Sequence, residues 1–551
     1  MKRRAQRAAL AAMWGVGLCA TAWASGCGLD TDGLAQRADA GVDSGARDGG
    51  RDAGRDDAAL VIDAGGDAGG DASVAFDAGT DAGVPFDAGV DAGTDAGPAM
   101  DAGMDAGTDA GPPDAGLDAG PQDAGFPDAA ETCATSGVRS CIDEYLMECV
   151  ASVPTVVERC VLGCTSIAGT ARCLRVRPTN VTDATLLVAG TAAVGPSTGH
   201  GLVFDTETGA ITNDLGATVR AAGMAGDVSG IVWRRQRQGG TAPDLSIFAM
   251  ASLTVPVASR VTATGSAALV ILSSGSVRID GRVDLGGVGR SAGPGGRAGA
   301  LARADALGDG GGHAGGLAGV INEIQAGGGG GGHTAVGGAG GDQNVPLYAT
   351  ATGGAGGAVV ADPDGSPLTG GGAGGGGAGP MAGGVGGGGG GALQITSNAA
   401  IVVGAGAVVT VAGAGGGVGT NSGGGGGAGG VVLLEALSVL VDGAVVANGG
   451  GGGGSDVSLI AVGSDGERGR DDATPARGGD PAGLAAGRGG IGGAGAAIAG
   501  GAGADDAGGA GGGGGAAGRL RFVTIVGGVT VRGVASPSEP VGQTRGLVTG
   551  I

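Results

Sequence analysis

The sequence predicts a mainly β protein: an irregular β-solenoid-like array with glycine-rich insertions, preceded by a disordered linker and a small disulfide module. Three observations carry this prediction. Short Val/Ile alternations recur around a glycine through the second half of the chain. Glycine supplies 137 of the 551 residues, much of it in unbroken runs. Six of the eight cysteines fall between Cys133 and Cys173, behind a stretch built almost wholly from Asp, Ala and Gly.

Residues 1–26 read as an export signal. Lys2, Arg3, Arg4 and Arg7 precede an apolar run from Ala8 to about Trp23, and small residues then lead to Cys27. A positive flank, a short apolar core and a small-residue cleavage site are the plan of a secretory signal. The apolar run, at about 16 residues, is shorter than the roughly 20 needed to span a membrane. Ala24-Ser25-Gly26-Cys27 resembles a lipobox, with Ala24 where that motif prefers Leu. The resemblance implies lipidation of Cys27, a mature chain starting there, and a membrane as partner through the lipid. Cys19 is a poorer candidate, because bulky Leu18 precedes it. Gly28 stands where an inner-membrane retention signal would place Asp. The expected address is therefore the outer membrane, with exposure at the cell surface.

Residues 27–131 read as an acidic tether. Triplets such as Asp77-Ala78-Gly79 and Asp87-Ala88-Gly89 repeat with one to three residues between them. From Gly28 to Glu131 there are 23 Asp and one Glu against four Arg, which is most of the formal net charge of -22. Glycine freedom, little apolar surface and like-charge repulsion leave nothing to offset the entropy of ordering, so disorder is expected. A flexible chain of this length has an end-to-end distance of about 55 Å. No carboxylate spacing matches an EF-hand loop.

Residues 132–178 hold Cys133, Cys141, Cys149, Cys160, Cys164 and Cys173. An even six suits three disulfides in an oxidising compartment, where a module too small for a core needs covalent staples. Fifteen pairings are open, and sequence does not choose among them. A metal site at Cys160-x3-Cys164 is the competing reading, and export favours disulfides. Asp-Ala-Gly linkers behind a lipobox, followed by a segment such as Cys160-Val-Leu-Gly-Cys164, resemble those of surface lipoproteins of myxobacteria. What that resemblance implies is a compact extracellular module.

Residues 179–260 alternate apolar and polar positions in short runs, as in Leu202-Val203-Phe204, Ile231-Val232-Trp233 and Leu245-Ser246-Ile247-Phe248, with a turn at Thr206-Glu207-Thr208-Gly209. Period-two patterning at this turn density predicts strands. Trp233 and Phe248 read as core, and Arg234, Arg235 and Arg237 as a solvated edge strand.

Residues 261–551 read as the repeat region. Val277-Arg-Ile279-Asp-Gly281-Arg-Val283 recurs as Val439-Leu-Val441-Asp-Gly443-Ala-Val445 and as Val529-Thr-Val531-Arg-Gly533-Val534, with a looser copy in Val402 to Val411. Strands that bury no face alone are satisfied by stacking on neighbouring copies, and the internal glycine permits a bend or a close backbone approach. Runs such as Gly327 to Gly332 and Gly383 to Gly391 admit two readings. One is disorder. The other is a bundle of extended polyglycine-II helices bonded to their neighbours, which resembles glycine-rich phage adhesins and the glycine-rich repetitive domains of mycobacterial surface proteins. The valine strands between the runs favour the ordered form.

Composition excludes several chemistries. Lys2 is the only lysine, so the mature chain has no Schiff-base lysine and no P-loop. His200, His313 and His333 show no metal-ligand spacing, and the G-x-G-x-x-G matches are by-products of glycine runs. The single calcium-type stretch, Gly500 to Ala507, stands alone, and Asp362-Pro-Asp364-Gly365 reads as a turn. Few aromatics and strong acidity argue against nucleic acid as a partner. Asp280, Asp284 and Asp442 read as solvent-facing turn residues. No catalytic, metal or cofactor residue is assigned. The expected function is non-enzymatic, in adhesion or envelope structure, with extracellular polysaccharide or a neighbouring cell surface as partner. The alternatives are a polysaccharide-acting β-solenoid enzyme and a passive spacer.

Overall fold

The computed structural model describes residues 133–167, 169–223, 225–318, 324–360, 363–379, 383–458 and 462–551. The export signal, Cys27, the tether and Asp362 lie outside the described residues. Strands dominate; the helical element among the described residues is a 3-10 turn, Ala184–Val188.

Each copy of the repeat supplies three strands in succession, one to each of three sheets. The copies are Leu245–Met250, Ser252–Val255 and Arg260–Thr264; Ala268–Ser273, Val277–Ile279 and Arg282–Asp284; Ala392–Ser397, Ala400–Val403 and Val408–Thr410; Val431–Glu435, Ser438–Val441 and Ala444–Val446; and Arg519–Thr524, Val529–Val531 and Val534–Ser536. Successive copies pair in parallel and in register. Leu269, Leu393, Val432 and Leu520 therefore stack in the first sheet, Leu253, Val277, Ile401, Val439 and Val529 in the second, and Val261, Val283, Val409 and Val445 in the third. These side chains meet in one continuous core. Each fully buried Val, Leu or Ile contributes about 1.5–3 kcal/mol there before entropy is subtracted.

The array begins upstream of the glycine-punctuated copies, because Leu245–Met250 pairs in parallel with Ala268–Ser273. Only Gly265, Ser266 and Ala267 separate those two copies, so no glycine run announces the first. Before it, antiparallel strands Ile211–Asn213 and Thr218–Arg220 close one end of the third sheet, and Gly226–Val228 and Ile231–Gln236 close the first. Gly226–Val228 pairs only with Ile231 to Trp233, so along Arg234 to Gln236 this strand has a neighbour on one side, Leu245–Met250. Arg234, Arg235 and Arg237 are exposed, with Arg235 paired to Glu207 and Asp244. Trp233 and Phe248 are buried, and Phe248 meets Phe204 edge-on at 5.1 Å.

Gly281, Gly443 and Gly533, each inside a copy, serve close approach. A Cβ on Gly281 would overlap the carbonyl oxygens of Pro256 and Ser259, one on Gly443 those of Ala407 and Gly404, and one on Gly533 that of Gly443. The N–H groups of Gly281, Gly443 and Gly533 donate to Val255, Val403 and Val441 of the preceding copy, at 3.0, 3.2 and 3.0 Å.

The first sheet is buried on both faces. Its inner face joins the common core, while Leu245, Ile247, Val270, Leu272 and Leu433 on the outer face lie under Val176, Val181, Leu186 and Leu187. This accounts for the unbroken apolar run Ala268 to Leu272, as expected of a parallel strand covered on two sides. The covering segment leads out of the six-cysteine module. That module consists of an antiparallel sheet of Arg139–Ile142, Tyr145–Val150 and Val153–Arg159, beside the hairpin Cys164–Ile167 and Thr170–Cys173. Its disulfides are Cys133–Cys149, Cys141–Cys164 and Cys160–Cys173. The chain's last residues return to it, with Arg175 and Ile551 exchanging backbone hydrogen bonds at 3.2 and 3.0 Å.

Candidate binding surface

The long insertions leave the stack at one corner. Each departs after a third-sheet strand and returns to a first-sheet strand: residues 285–391, 411–430 and 447–518. Chain from three insertions is therefore brought side by side, and the glycine runs bond across insertions with a period of three. Along 327–332, the N–H groups of Gly327 and Gly330 donate to Gly341 and Gly338, those of Gly328 and Gly331 to Gly423 and Gly426, and those of Gly329 and Gly332 to His313 and Gly310, all at 2.8–3.0 Å. Along 511–516, Gly511 and Gly514 donate to Ala504 and Gly501, Gly512 and Gly515 to Gly453 and Gly450, and Gly513 and Ala516 to Gly328 and Gly331. Three directions of bonding in three residues is the symmetry of an extended helix with three residues per turn. It satisfies backbone groups that no water reaches.

Glycine is required where a run is surrounded. A Cβ on Gly425 would overlap the Gly329 carbonyl, and one on Gly514 that of Ile491. Outer runs instead carry a side chain at every third residue, pointing out: Ala355 and Ala358, Ala499 and Ala502, Arg488 and Ile491 are exposed.

Runs 423–430 and 510–518 lead directly into first-sheet strands, so their opposite ends mark the side away from the sheets. There the connecting loops are tied into one surface. The hairpin Gln343–Val345 and Ala349–Ala351 meets the 505–508 loop through a Gln343–Asp506 bridge and the Gln343 amide, which donates to Ala507 and Gly508 oxygens at 3.1 and 2.9 Å. That loop meets the 482–486 loop through Gly508 N–H to Ala485 O at 2.8 Å and an Ala486–Gly509 bridge. The 482–486 loop in turn meets 455–458 through Val457 N–H to Ala482 O at 2.9 Å.

This surface shows apolar groups to solvent. Leu347 is fully exposed, Leu484 is 95% exposed and Tyr348 57%. In a chain so rich in glycine, three positive-φ positions at these loops are nonetheless held by Leu347 (φ 65°), Ala485 (φ 63°) and Asn421 (φ 64°), beside Gly483 (φ 101°). A left-handed backbone costs a side-chain-bearing residue about 1–2 kcal/mol, and such strain concentrates at functional positions. The distal loops were not assigned from sequence. Their signal was available as apolar interruptions, such as Val345-Pro-Leu347-Tyr348 and Leu484, between glycine runs.

Of the residues singled out in the sequence, the Gly500 to Ala507 stretch reaches this surface through Asp505 and Asp506, and the others fall elsewhere. His200 pairs with Asp214 at 3.3 Å in a cleft of about 300 Å³ that Arg260 also lines, and His313 pairs with Asp305 at 3.6 Å. His333 is buried among the glycine runs. Among the described residues, no three His, Cys, Asp or Glu side chains gather as a metal site. Asp280 and Asp442 are partly exposed and pair with Arg278 and Arg532. Asp284 departs from the solvent-facing expectation. Its side chain is 4% exposed and meets Arg260 at 2.8 Å, Arg282 at 3.1 Å and both terminal nitrogens of Arg468. The reason is the 447–518 insertion, which carries Arg468 back over the third sheet. Burial alone would raise the Asp284 pKa, but Arg468, the Gly286 N–H and Arg282 outweigh it and hold it at about 2.

The chain matches no protein-family model, no curated protein and no solved structure among those with which it was compared.

Proposed function

We infer that this is a lipid-anchored, non-enzymatic protein of the bacterial cell surface, acting in adhesion. In this reading the strand stack is an irregular β-solenoid, and the glycine runs form a polyglycine-II bundle that stiffens one corner of it. The bundle holds the distal loops out, and the acidic tether lifts the whole from the membrane. The single observation that carries the reading is that loops at the far ends of the glycine runs, tied to one another by backbone bonds, expose Leu347, Tyr348 and Leu484 to solvent. Many weak contacts made by tethered copies would add through avidity rather than through one tight site.

The test uses the full chain expressed in a bacterium with an outer membrane. Lipid labelling is expected in wild type and absent in Cys27→Ala, and protease added to intact cells is expected to remove the protein. Cells bearing it are expected to attach to target cells or polysaccharide without releasing saccharide products. Labelling that persists in Cys27→Ala, or full protection from protease, would count against a surface lipoprotein. Saccharide release that disappears when one Asp is replaced would establish the enzyme instead, and absence of attachment would leave a passive spacer.

A further inference from the structure

We propose that the distal loop surface docks a basic, partly apolar protein segment. This inference rests on the adhesion reading and narrows it, since that reading leaves the chemistry of the partner open.

The argument is charge set against apolar exposure. Loops 342–351, 455–458, 480–486 and 504–509 contain Asp342, Asp456, Asp480, Asp505 and Asp506 and no Lys, Arg or His. Asp480 is paired, with Arg488 just behind the loop at 2.7 Å. The other four carboxylates accept from backbone: Asp342 from Gly353 N–H at 2.6 Å, Asp456 from Ser458 N–H at 3.0 Å, Asp505 from Asp342 N–H at 2.7 Å and Asp506 from Ala507 N–H at 2.6 Å. These bonds set the shape of the loops and leave the negative charge without a cationic partner among the residues of the loops, with Asp505 exposed and Asp342, Asp456 and Asp506 half-buried. Leu347 lies on the same loop as Asp342 and Leu484 on the same loop as Asp480, both almost wholly in solvent. A partner that covers the leucines must bring apolar groups, and one that approaches four carboxylates must bring cations. Phosphorylated or carboxylated glycans and anionic lipid headgroups meet like charge here and are repelled. A protein segment in which Lys or Arg alternates with apolar residues satisfies both demands.

The experiment uses the full chain and a short synthetic peptide alternating lysine and leucine, with a serine–leucine peptide of equal length as comparison. The tether is also acidic, so loop variants that leave it untouched carry the test: Leu347→Ser with Leu484→Ser, and Asp505→Asn with Asp506→Asn. Leu347, Leu484 and Asp505 are exposed and Asp506 is half-buried; an asparagine Oδ1 can still accept from the Asp342 and Ala507 N–H groups, so the variants are expected to melt as wild type does. Each pair is expected to weaken lysine–leucine binding roughly tenfold, the effect of losing an interface anchor, and the serine–leucine peptide is expected to bind more weakly still. Equal binding of wild type and both variants would overturn the proposal, because the peptide would then be held by the tether alone. Attachment to target cells that the loop variants lose, but that lysine–leucine peptide does not compete, would overturn the basic partner and leave the adhesion reading standing. Attachment unchanged in the variants would overturn adhesion through this surface, and this inference with it.

Discussion

At the scale of single residues, three buried ionisable side chains decide how the folded body responds to substitution and to pH. Asp284→Asn removes the one carboxylate that Arg260, Arg282 and Arg468 share, leaving three guanidinium groups close together. Breaking a buried pair costs about 3–5 kcal/mol; the arginines remain 30–55% exposed, so the expected loss is nearer 2–3 kcal/mol. A denaturant midpoint unchanged from wild type would refute it. The stabilisation from Asp284 is complete above the ordinary Asp range near 3.8 and is lost as pH falls toward about 2. His333 and Glu435 oppose each other. Burial lowers the His333 pKa to about 4, so its contribution is complete above 6.5 and declines as pH falls from there to about 4. Burial raises the Glu435 pKa, against hydrogen bonds from Thr179, Thr396 and Gln394. Its contribution is therefore greatest below 4.5 and declines as pH rises from there. The two slopes partly cancel in wild type. Glu435→Gln is expected to steepen the loss of stability between pH 6.5 and 4.5, and His333→Gln to flatten or reverse it, in unfolding titrations at several pH values. Parallel curves for all three proteins would show that neither group titrates as its burial implies.

At the scale of elements, the valine strands and the glycine runs obey different rules, and they were unequally legible. The strands were readable because a Val/Ile alternation has one meaning when copies stack: Val277-Arg-Ile279 and Val439-Leu-Val441 occupy the same sheet, with Val277 aligned to Ile401 and Ile401 to Val439. The copy at Leu245 to Thr264 was harder to see, because no glycine run separates it from the next. Burial of Asp284 was not legible at all, since Arg468 lies 184 residues away in sequence and reaches it only through the insertion. The glycine runs did hold a readable signal. In Thr352-Gly-Gly-Ala355-Gly-Gly-Ala358 and Ala499-Gly-Gly-Ala502, every third residue bears a side chain, and these are the outward positions of outer runs. Unbroken runs such as Gly423 to Gly427 are surrounded and carry none. Substitution should follow that division. Gly425→Ala places a methyl group against the Gly329 carbonyl and is expected to destabilise by about 1–3 kcal/mol, as overpacking does, whereas Ala355→Ser at an exposed position should stay within about 0.5 kcal/mol of wild type. Equal effects in thermal melts would mean that the runs are not packed against one another.

At the scale of the whole molecule, the described body divides into parts held by different forces, and reduction should separate them. The six-cysteine module has a core of little more than Leu146, Ala171 and its own cystines. Its disulfides close loops spanning 16, 23 and 13 residues, each expected to stabilise by about 3 kcal/mol through restriction of the unfolded chain. The strand stack owes nothing to cystine and rests on a core that runs through five copies. Hydrogen exchange with and without reductant is the direct measurement. Strands between Arg139 and Cys173 are expected to lose protection on reduction, while Ala268–Ser273, Ala392–Ser397 and Val431–Glu435 keep theirs. Intermediate loss is expected only where the parts meet: at Arg175 and Ile551, which exchange hydrogen bonds, and at Thr179, whose N–H donates to Glu435 at 3.1 Å. Global loss of protection would instead make the module a required cap of the stack, whose outer first-sheet face it covers through Val176 to Leu187. A local response is the better expectation, because exposing that outer face leaves the inner core of the three sheets intact. The consequence reaches the distal loops: they are supported by glycine runs rooted in the stack and not in the module. Reduction should therefore unravel the six-cysteine module while the loop surface keeps its shape.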